Sequence, residues 1–273
     1  MQQVYAREDA VSPVITPASD GIPLVAYTML DESGGVLAAR HPHAVFYAAS
    51  TVKLGIMLAV ALAVERDELS LDDSLECRRV FECRNDDGTS ETFRLAPEDS
   101  DQQFPADGAL ASIRDLVAMM IARSSNEATN VLFDRLGVGA IAEAFRLCGA
   151  DDTRMERRIG DPCAARAGLT NETTPADLAA IMRVIVAGEL TSAGSTDWMC
   201  RVLETQEHPR IGSIVAPGVP WGSKSGDVPG VEHDVAFVGQ SGSRRFVAVC
   251  TRGFEPEQGR EVIRGVADAL LQQ

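Results

Sequence analysis

Lysine is nearly missing from this sequence of 273 residues. Lys53 and Lys224 are the only two, and the remaining 25 − 2 = 23 basic residues are arginines. Arginine has a pKa above about 12 and takes up no proton near neutral pH, whereas a partly buried lysine does. A sequence that uses arginine almost everywhere else therefore marks its two lysines as candidates for acid–base chemistry.

Positive charge as a whole is also in short supply. The 25 basic residues face 40 acidic ones, which gives a net charge of −15 and an isoelectric point near 4.7. Because such a surface repels phosphate backbones and anionic lipids, we expect no nucleic-acid partner and no membrane partner. No apolar run reaches the roughly 18 residues of a membrane span, and residues 1–11 carry charge where a signal peptide would be apolar. These features predict a cytoplasmic protein, and they leave the oligomeric state open.

Cysteine pairs of the C-x-x-C type are absent. This argues against a zinc site, and the scattered spacing argues against the disulfide framework of a small secreted protein. We therefore expect free, buried thiols, no metal and no other cofactor. The six cysteines are Cys77, Cys83, Cys148, Cys163, Cys200 and Cys250.

Strand patterns lie at both ends of the chain and helical patterns lie between them. Residues 24–30 and 36–39 flank a tight turn and predict a β-hairpin, as do residues 77–84 and 89–95. Further strands are predicted at 221–226, 234–239 and 245–251, and helices at 50–65, 112–122, 126–136, 139–148, 175–187, 196–204 and 258–271. Residues 154–173 have no clear period and predict a long surface loop. The sheet is thus completed by distant segments, with a helical part inserted.

The first chemical motif is Ser50-Thr51-Val52-Lys53. On a helix this spacing puts the hydroxyl and the amine on one face, one turn apart, so that a base lies beside a nucleophile. The alternative is a capped helix with a surface lysine. Against it, Lys53 lies in a segment that is otherwise apolar through Val64, where an unneeded charge would be costly to bury.

Two more motifs follow along the chain. Lys224-Ser225-Gly226 ends a predicted strand with a positive charge, a hydrogen-bond donor and a backbone free of side-chain bulk. Ser124-Ser125-Asn126 lies between two helical patterns and offers a hydroxyl and an amide.

These three motifs, in this order, resemble the serine β-lactamase and penicillin-binding protein superfamily, and class A β-lactamases most closely, whose signature is S-x-x-K, S-D-N and K-T/S-G. Further matches lie at residues 69–73, 124–130, 173–175 and 197–199, so that the resemblance covers about residues 22–271. It implies an α/β fold of the α+β type, with an antiparallel five-stranded sheet flanked by helices and an inserted all-helical subdomain. We expect one catalytic domain, 1–273, with a sheet part at 20–48 and 190–273 and a helical part at 49–189.

The resemblance also implies roles in catalysis. Ser50 would be the nucleophile that forms an acyl-enzyme, and Lys53 would be its activating base. Ser124 would pass a proton to the leaving atom. The backbone N–H groups of Ser50 and Asp227 would form the oxyanion hole.

Substrate binding is implied at the remaining motif positions. Asn126 would bind the amide of the acyl side chain, and Lys224 and Ser225 would hold a carboxylate of a small-molecule substrate. Gly226 would leave room for the substrate next to the strand.

Two departures from the class A pattern stand out. The middle residue of S-D-N is Ser125, so that an aspartate is missing. The position of the glutamate that activates the deacylating water in class A enzymes falls at about Ile159, and isoleucine cannot act as a base. The loop holds other carboxylates at Glu156, Asp161 and Glu172.

His233 offers a different base, because it lies just past the lysine motif and histidine titrates near neutral pH. The alternative is that His233 and Asp234 only hold the strand turn together.

These observations favour a serine hydrolase that acylates Ser50 with a β-lactam or a related amide or ester. One alternative is an esterase, peptidase or biosynthetic acyltransferase with little β-lactam turnover. Another is a β-lactam-binding receptor that is acylated without efficient hydrolysis.

Overall fold

The computed structural model describes residues 15–83 and 91–272. The helices are α1 (Lys53–Glu65), α2 (Ile113–Ala122), α3 (Asn126–Leu147), α4 (Pro162–Arg166), α5 (Pro175–Ala187), α6 (Ala193–Leu203) and α7 (Pro256–Leu271), and 3-10 turns lie at Ala49–Val52 and Gly212–Ile214. Within these described ranges, no helix is long and apolar enough to cross a membrane.

The strands include five long ones and several short ones. They are β1 (Ile15–Thr16), β2 (Ser19–Asp20), β3 (Leu24–Leu30), β4 (Val36–Arg40), β5 (Phe46–Tyr47), β6 (Ser74–Glu76), β7 (Phe81–Glu82), β8 (Thr92–Phe93), β9 (Leu110–Ser112), β10 (Arg154–Met155), β11 (Asn171–Thr173), β12 (Trp221–Val228), β13 (Val231–Val238) and β14 (Arg245–Arg252).

The predicted five-stranded antiparallel sheet is confirmed, with the strand order β12-β13-β14-β3-β4. The hairpin β3–β4 closes on Asp31, whose carboxylate accepts the backbone N–H groups of Ser33 and Gly35 at 2.9 and 2.8 Å. β14, from the end of the chain, pairs with β3, from its start. This pairing brings distant segments into one sheet, as the strand patterns predict.

Both faces of the sheet are covered by helices. On one face, Ile263, Ala267 and Leu270 of α7 are buried against Val247 and Val249 of β14. The other face packs against α5, which in turn contacts α1. α1 is buried on all sides from Lys53 to Ala63, since its sequence is apolar all round apart from the lysine. The start of α1 therefore lies deep in the molecule.

Some predicted elements differ in the structure. The two helices predicted at 126–136 and 139–148 run together as α3, with a break at Gly137, whose φ of 77° is left-handed. The predicted loop 154–173 contains the short elements β10, α4 and β11. The second hairpin is shorter than predicted, with β7 and β8 as its paired strands, and residues 84–90 lie outside the described residues.

The expectation of free thiols is wrong for one pair of cysteines. Cys83 and Cys163 form a disulfide between residues 80 positions apart, whereas Cys77, Cys148, Cys200 and Cys250 are free. Such long-range pairing leaves no local spacing signal in a sequence. The bond joins the segment after β7 to the start of α4.

Removing this disulfide should destabilise the protein. Cys163→Ser opens a loop with a sequence separation of 80, which corresponds to about 4 kcal/mol in the free energy of unfolding and to a fall in Tm of about 8–16 °C. Calorimetry on oxidised protein checks this, with Cys200→Ser, at a free cysteine, as the control. Equal Tm values for the two variants would contradict the prediction.

Candidate active site

Ser50 lies in the 3-10 turn that leads into α1, and not in the α-helix itself. The residue before it, Ala49, has a φ of 46°, a conformation that is costly for any residue with a Cβ. Neighbouring strands fix this turn: the backbone N–H of Ala48 donates to the carbonyl of Asn171 at 2.9 Å. The turn that carries the half-buried Ser50 is thus joined to β11 by a hydrogen bond.

Lys53 is completely buried. Its Nζ donates to the Ser124 carbonyl at 2.8 Å, to Ser124 Oγ at 3.1 Å and to Asn126 Oδ1 at 2.7 Å. Burial lowers the pKa of Lys53 well below its usual range, and the nearby charge of Lys224 lowers it further. The amine is therefore far better placed to take up a proton than a lysine in water.

Lys224 is also completely buried and approaches the same serine from the sheet side. Its Nζ donates to Ser124 Oγ at 3.2 Å and to the Ser225 carbonyl at 2.6 Å. Burial lowers the pKa of Lys224 to about 7. Ser124 Oγ therefore lies between the two lysine amines, in hydrogen-bond contact with each.

Ser124 is a second left-handed residue of the site, after Ala49, with a φ of 62°. Ser125, where the family pattern has aspartate, is buried and accepts the backbone N–H of Ala128 at 3.3 Å as the N-cap of α3. Asn126 donates its Nδ2 to the Asp99 carbonyl at 2.8 Å. A serine cap thus supports the turn in place of the missing aspartate.

Gly226 lets the edge strand β12 approach the nucleophile. A Cβ at Gly226 would lie 2.7 Å from the backbone nitrogen of Ser50 and 2.8 Å from that of Thr51. Both are backbone atoms of the turn, so that neither can move aside easily. Only glycine fits, as the sequence predicts for a backbone that must come close.

The predicted residues meet in one open cleft of about 460 Å³. Its lining includes Ser50, Ser124, Asn126 and Asp227, together with the acidic segment Glu98–Asp101 and Arg123. Lys53, Lys224, Ser225 and Gly226 lie directly behind these residues through the contacts given above. The three sequence motifs therefore form one site.

His233 is not part of this site. Its ring is completely buried, Nε2 lies 3.0 Å from the Tyr47 carbonyl, and Nδ1 lies 3.3 Å from the backbone N–H of Thr251. Burial lowers the pKa of His233 to about 4, so that the ring is neutral and bridges β5, β13 and β14. We therefore correct the expectation that His233 is a catalytic base: it holds strands together.

The loop 154–173 packs beside the site, and its carboxylates have structural partners. Asp161 accepts the backbone N–H groups of Cys163 and Ala164 as the N-cap of α4. Glu156 accepts the Thr170 N–H, and Glu172 pairs with Arg154. Ile159 is fixed by its backbone, which makes two hydrogen bonds with the Asn130 side chain, at 2.8 and 2.9 Å.

Two charged residues near the cleft were missed from the sequence. Glu127 is buried at the start of α3 and binds Arg79, Ser100 Oγ and the Asp101 N–H, which anchors the far wall of the cleft. Arg210 is buried beside β12 and pairs with Asp227. Glu127 adjoins the S-x-N motif, which is a usable signal, whereas nothing in the sequence relates Arg210 to Asp227.

Comparisons with known proteins identify the family of this chain. The chain matches the model of the β-lactamase enzyme family over residues 7–273, and we conclude that it belongs to this family. Among curated proteins, none matches the chain.

Solved structures of similar fold include two informative ones. A β-lactamase from Sphaerobacter thermophilus is 29% identical, with a TM-score of 0.77 over 92% of this chain and 91% of that chain. PBP-A, in a variant with glutamate in place of a leucine and as an acyl-enzyme complex with penicillin G, is 25% identical, with a TM-score of 0.73 and the same coverage, 92% and 91%. The fold and the family are thus those of β-lactamase-like serine hydrolases.

Adding one methyl group at Gly226 should disable the site. Gly226→Ala pushes β12 or the Ser50 turn away, and a shift of about 1 Å costs roughly 100-fold in rate. The measurement is the rate at which a fluorophosphonate labels the protein. Gly265→Ala is the control, because its Cβ meets open space on α7. An equal labelling rate in both variants would contradict the close approach.

Proposed function

We propose that this protein is a serine hydrolase in which Ser50 forms an acyl-enzyme with a β-lactam or a related amide or ester that carries a carboxylate. The observation that supports it most is the position of Ser124 Oγ, 3.1 Å from Lys53 Nζ and 3.2 Å from Lys224 Nζ, in the cleft that Ser50 lines. Two buried amines around one hydroxyl provide a route for a proton into and out of the site.

The proposed acylation starts with neutral Lys53, which takes the proton of the Ser50 hydroxyl while Oγ attacks the substrate carbonyl. The negative charge on the carbonyl oxygen is stabilised by the backbone N–H groups of Ser50 and Asp227. Ser124 then delivers a proton to the leaving nitrogen or oxygen, and Lys53 resupplies it. The C–N or C–O bond breaks, and the acyl group remains on Ser50 as an ester.

Lys224 and Ser225 are proposed to hold the substrate carboxylate. With a pKa of about 7, Lys224 is partly neutral at physiological pH. A bound carboxylate favours its charged form and raises that pKa again. Substrate binding would thereby charge Lys224, and its positive charge would in turn favour the neutral form of Lys53.

Deacylation needs a base that activates water. The class A pattern places a base near Ile159, and the carboxylates of the same loop serve the backbone and Arg154 instead. PBP-A, with glutamate introduced in place of a leucine, is known as a penicillin acyl-enzyme. Isoleucine at position 159, which cannot act as a base, favours the second candidate function, a penicillin-binding protein that is acylated and releases the product slowly.

Ser50→Ala should abolish covalent labelling by a fluorophosphonate and by penicillins, because the proposed base has no other hydroxyl one turn away in the motif. Intact-mass measurement checks this, with Ser243→Ala in an exposed loop as the control. Labelling of another serine in Ser50→Ala would overturn the assignment. Labelling by the fluorophosphonate but by no β-lactam would favour an esterase, peptidase or acyltransferase.

Lys53→Arg should be nearly as damaging, since arginine keeps the charge but accepts no proton. We expect less than about a tenth of the acylation rate, a loss of at least about 1.4 kcal/mol in transition-state stabilisation. Stopped-flow measurement of acylation gives this rate. If Lys53→Arg kept more than about a tenth of the acylation rate, Lys53 would contribute only its positive charge and would not be the base.

A penicillin adduct should persist on the unsubstituted protein, with a mass equal to that of the intact drug. Ile159→Glu should then speed release of the adduct about tenfold or more, because it supplies a base for water. Ile159→Gln is the matched control, with a similar shape and no charge. Turnover at tens per second without a detectable adduct would show that another group already acts as the base.

A further inference from the structure

Hydrogen bonds and ion pairs fix both the backbone and the side chain of Arg210, which lies beside the cleft. The backbone N–H groups of Arg210 and Ile211 each donate to Asp234 Oδ2 at 2.8 Å. Its side chain is only 6% exposed, and Nη2 donates to Asp227 Oδ1 and to Glu232 Oε2, each at 2.9 Å. The guanidinium position is therefore set by two carboxylates, those of Asp227 and Glu232, of which Asp227 lines the cleft.

Asp227 places a carboxylate beside the proposed oxyanion hole, where a negative charge is unfavourable. It directly follows Gly226, whose backbone touches the Ser50 turn, and its side chain is 51% exposed beside the cleft. In the proposed acylation, negative charge develops on an oxygen bound by the N–H groups of Ser50 and Asp227. A free carboxylate on that residue would repel the developing charge and compete for the same N–H donors.

We propose that Arg210 is a positioning residue for acylation: it holds the Asp227 carboxylate away from the oxyanion hole and neutralises its charge. This inference rests on the proposed function of Ser50. The inference extends that function, because it gives the Arg210–Asp227 ion pair a role in stabilising the transition state. This ion pair takes no part in the proton transfers.

The other bonds of Arg210 fit this role better than direct contact with substrate. Nε donates to Glu232 at 3.2 Å, and Nη1 donates to the His208 carbonyl. Burial works to lower the pKa of Arg210, but the charges of Glu232, Asp227 and Asp234 outweigh it and raise that pKa. A fully charged side chain fixed in this way acts as a permanent clamp on Asp227.

The test compares acylation rate constants of a chromogenic cephalosporin in a set of variants. Arg210→Gln should lower the acylation rate constant at least about tenfold, with little change in drug affinity. Asp227→Asn alone should raise it about twofold to fivefold, because the carboxylate is lost and the guanidinium stays. The double variant Arg210→Gln/Asp227→Asn should return to within about threefold of the unsubstituted protein.

A second double variant separates this role from a structural one. Arg210→Gln also leaves the buried Glu232 with Arg260 as its remaining cation, at 3.2 Å, and this lowers stability. Arg210→Gln/Glu232→Gln should therefore regain Tm but not the acylation rate. Rescue of acylation by Glu232→Gln, or no rescue by Asp227→Asn, would overturn the inference while Ser50 acylation stands. Absence of any Ser50 adduct in the unsubstituted protein would overturn the proposed function and this inference together.

Discussion

Two lysine amines buried around the hydroxyl of Ser124 are the interaction on which the rest of this site depends. Burial disfavours the charged form of both amines and lowers both pKa values, and the charge of Lys224 lowers that of Lys53 further. The carbonyls of Ser124 and Ser225 and the amide of Asn126 accept their N–H groups. These hydrogen bonds hold the buried amines in place, and burial leaves the amines ready to exchange protons.

This arrangement places strict demands on the surrounding fold. Lys53 reaches Ser124 because α1 runs through the centre of the core, buried on every side. Lys224 reaches the same hydroxyl from the edge strand β12, which Gly226 allows to touch the Ser50 turn. Helices and sheet therefore meet at this site. The turns that bring them together hold Ala49 and Ser124 in left-handed backbone conformations, which cost conformational energy.

Much of this could be predicted because its signals are local. A lysine in an apolar helix and a glycine in a strand each determine their surroundings within a few residues. The interactions that escaped prediction connect distant residues: the bond between Cys83 and Cys163, and the pairing of Arg210 with Asp227. Such pairs follow from the packed fold and have no spacing of their own.

For His233, the sequence predicts a catalytic role that the structure does not support. A histidine beside an apparent active site is a good candidate for a base in sequence terms, yet the direction of a side chain on a strand decides its role. In β13 its ring lies against the Tyr47 carbonyl and the Thr251 N–H, and backbone groups take up both of its nitrogens. Proximity along the chain therefore did not translate into access to the cleft.

The burial of both lysines has a consequence for the outside of the molecule. Since the chain has only these two lysines and neither is exposed, its surface presents guanidinium groups as its basic side chains and no lysine amine. Electrophiles such as strained lactams and activated esters react with free amines, but hardly with protonated guanidinium. Compounds that react with lysine amines therefore find none on the surface, and modification of a lysine would report on the interior beside the cleft.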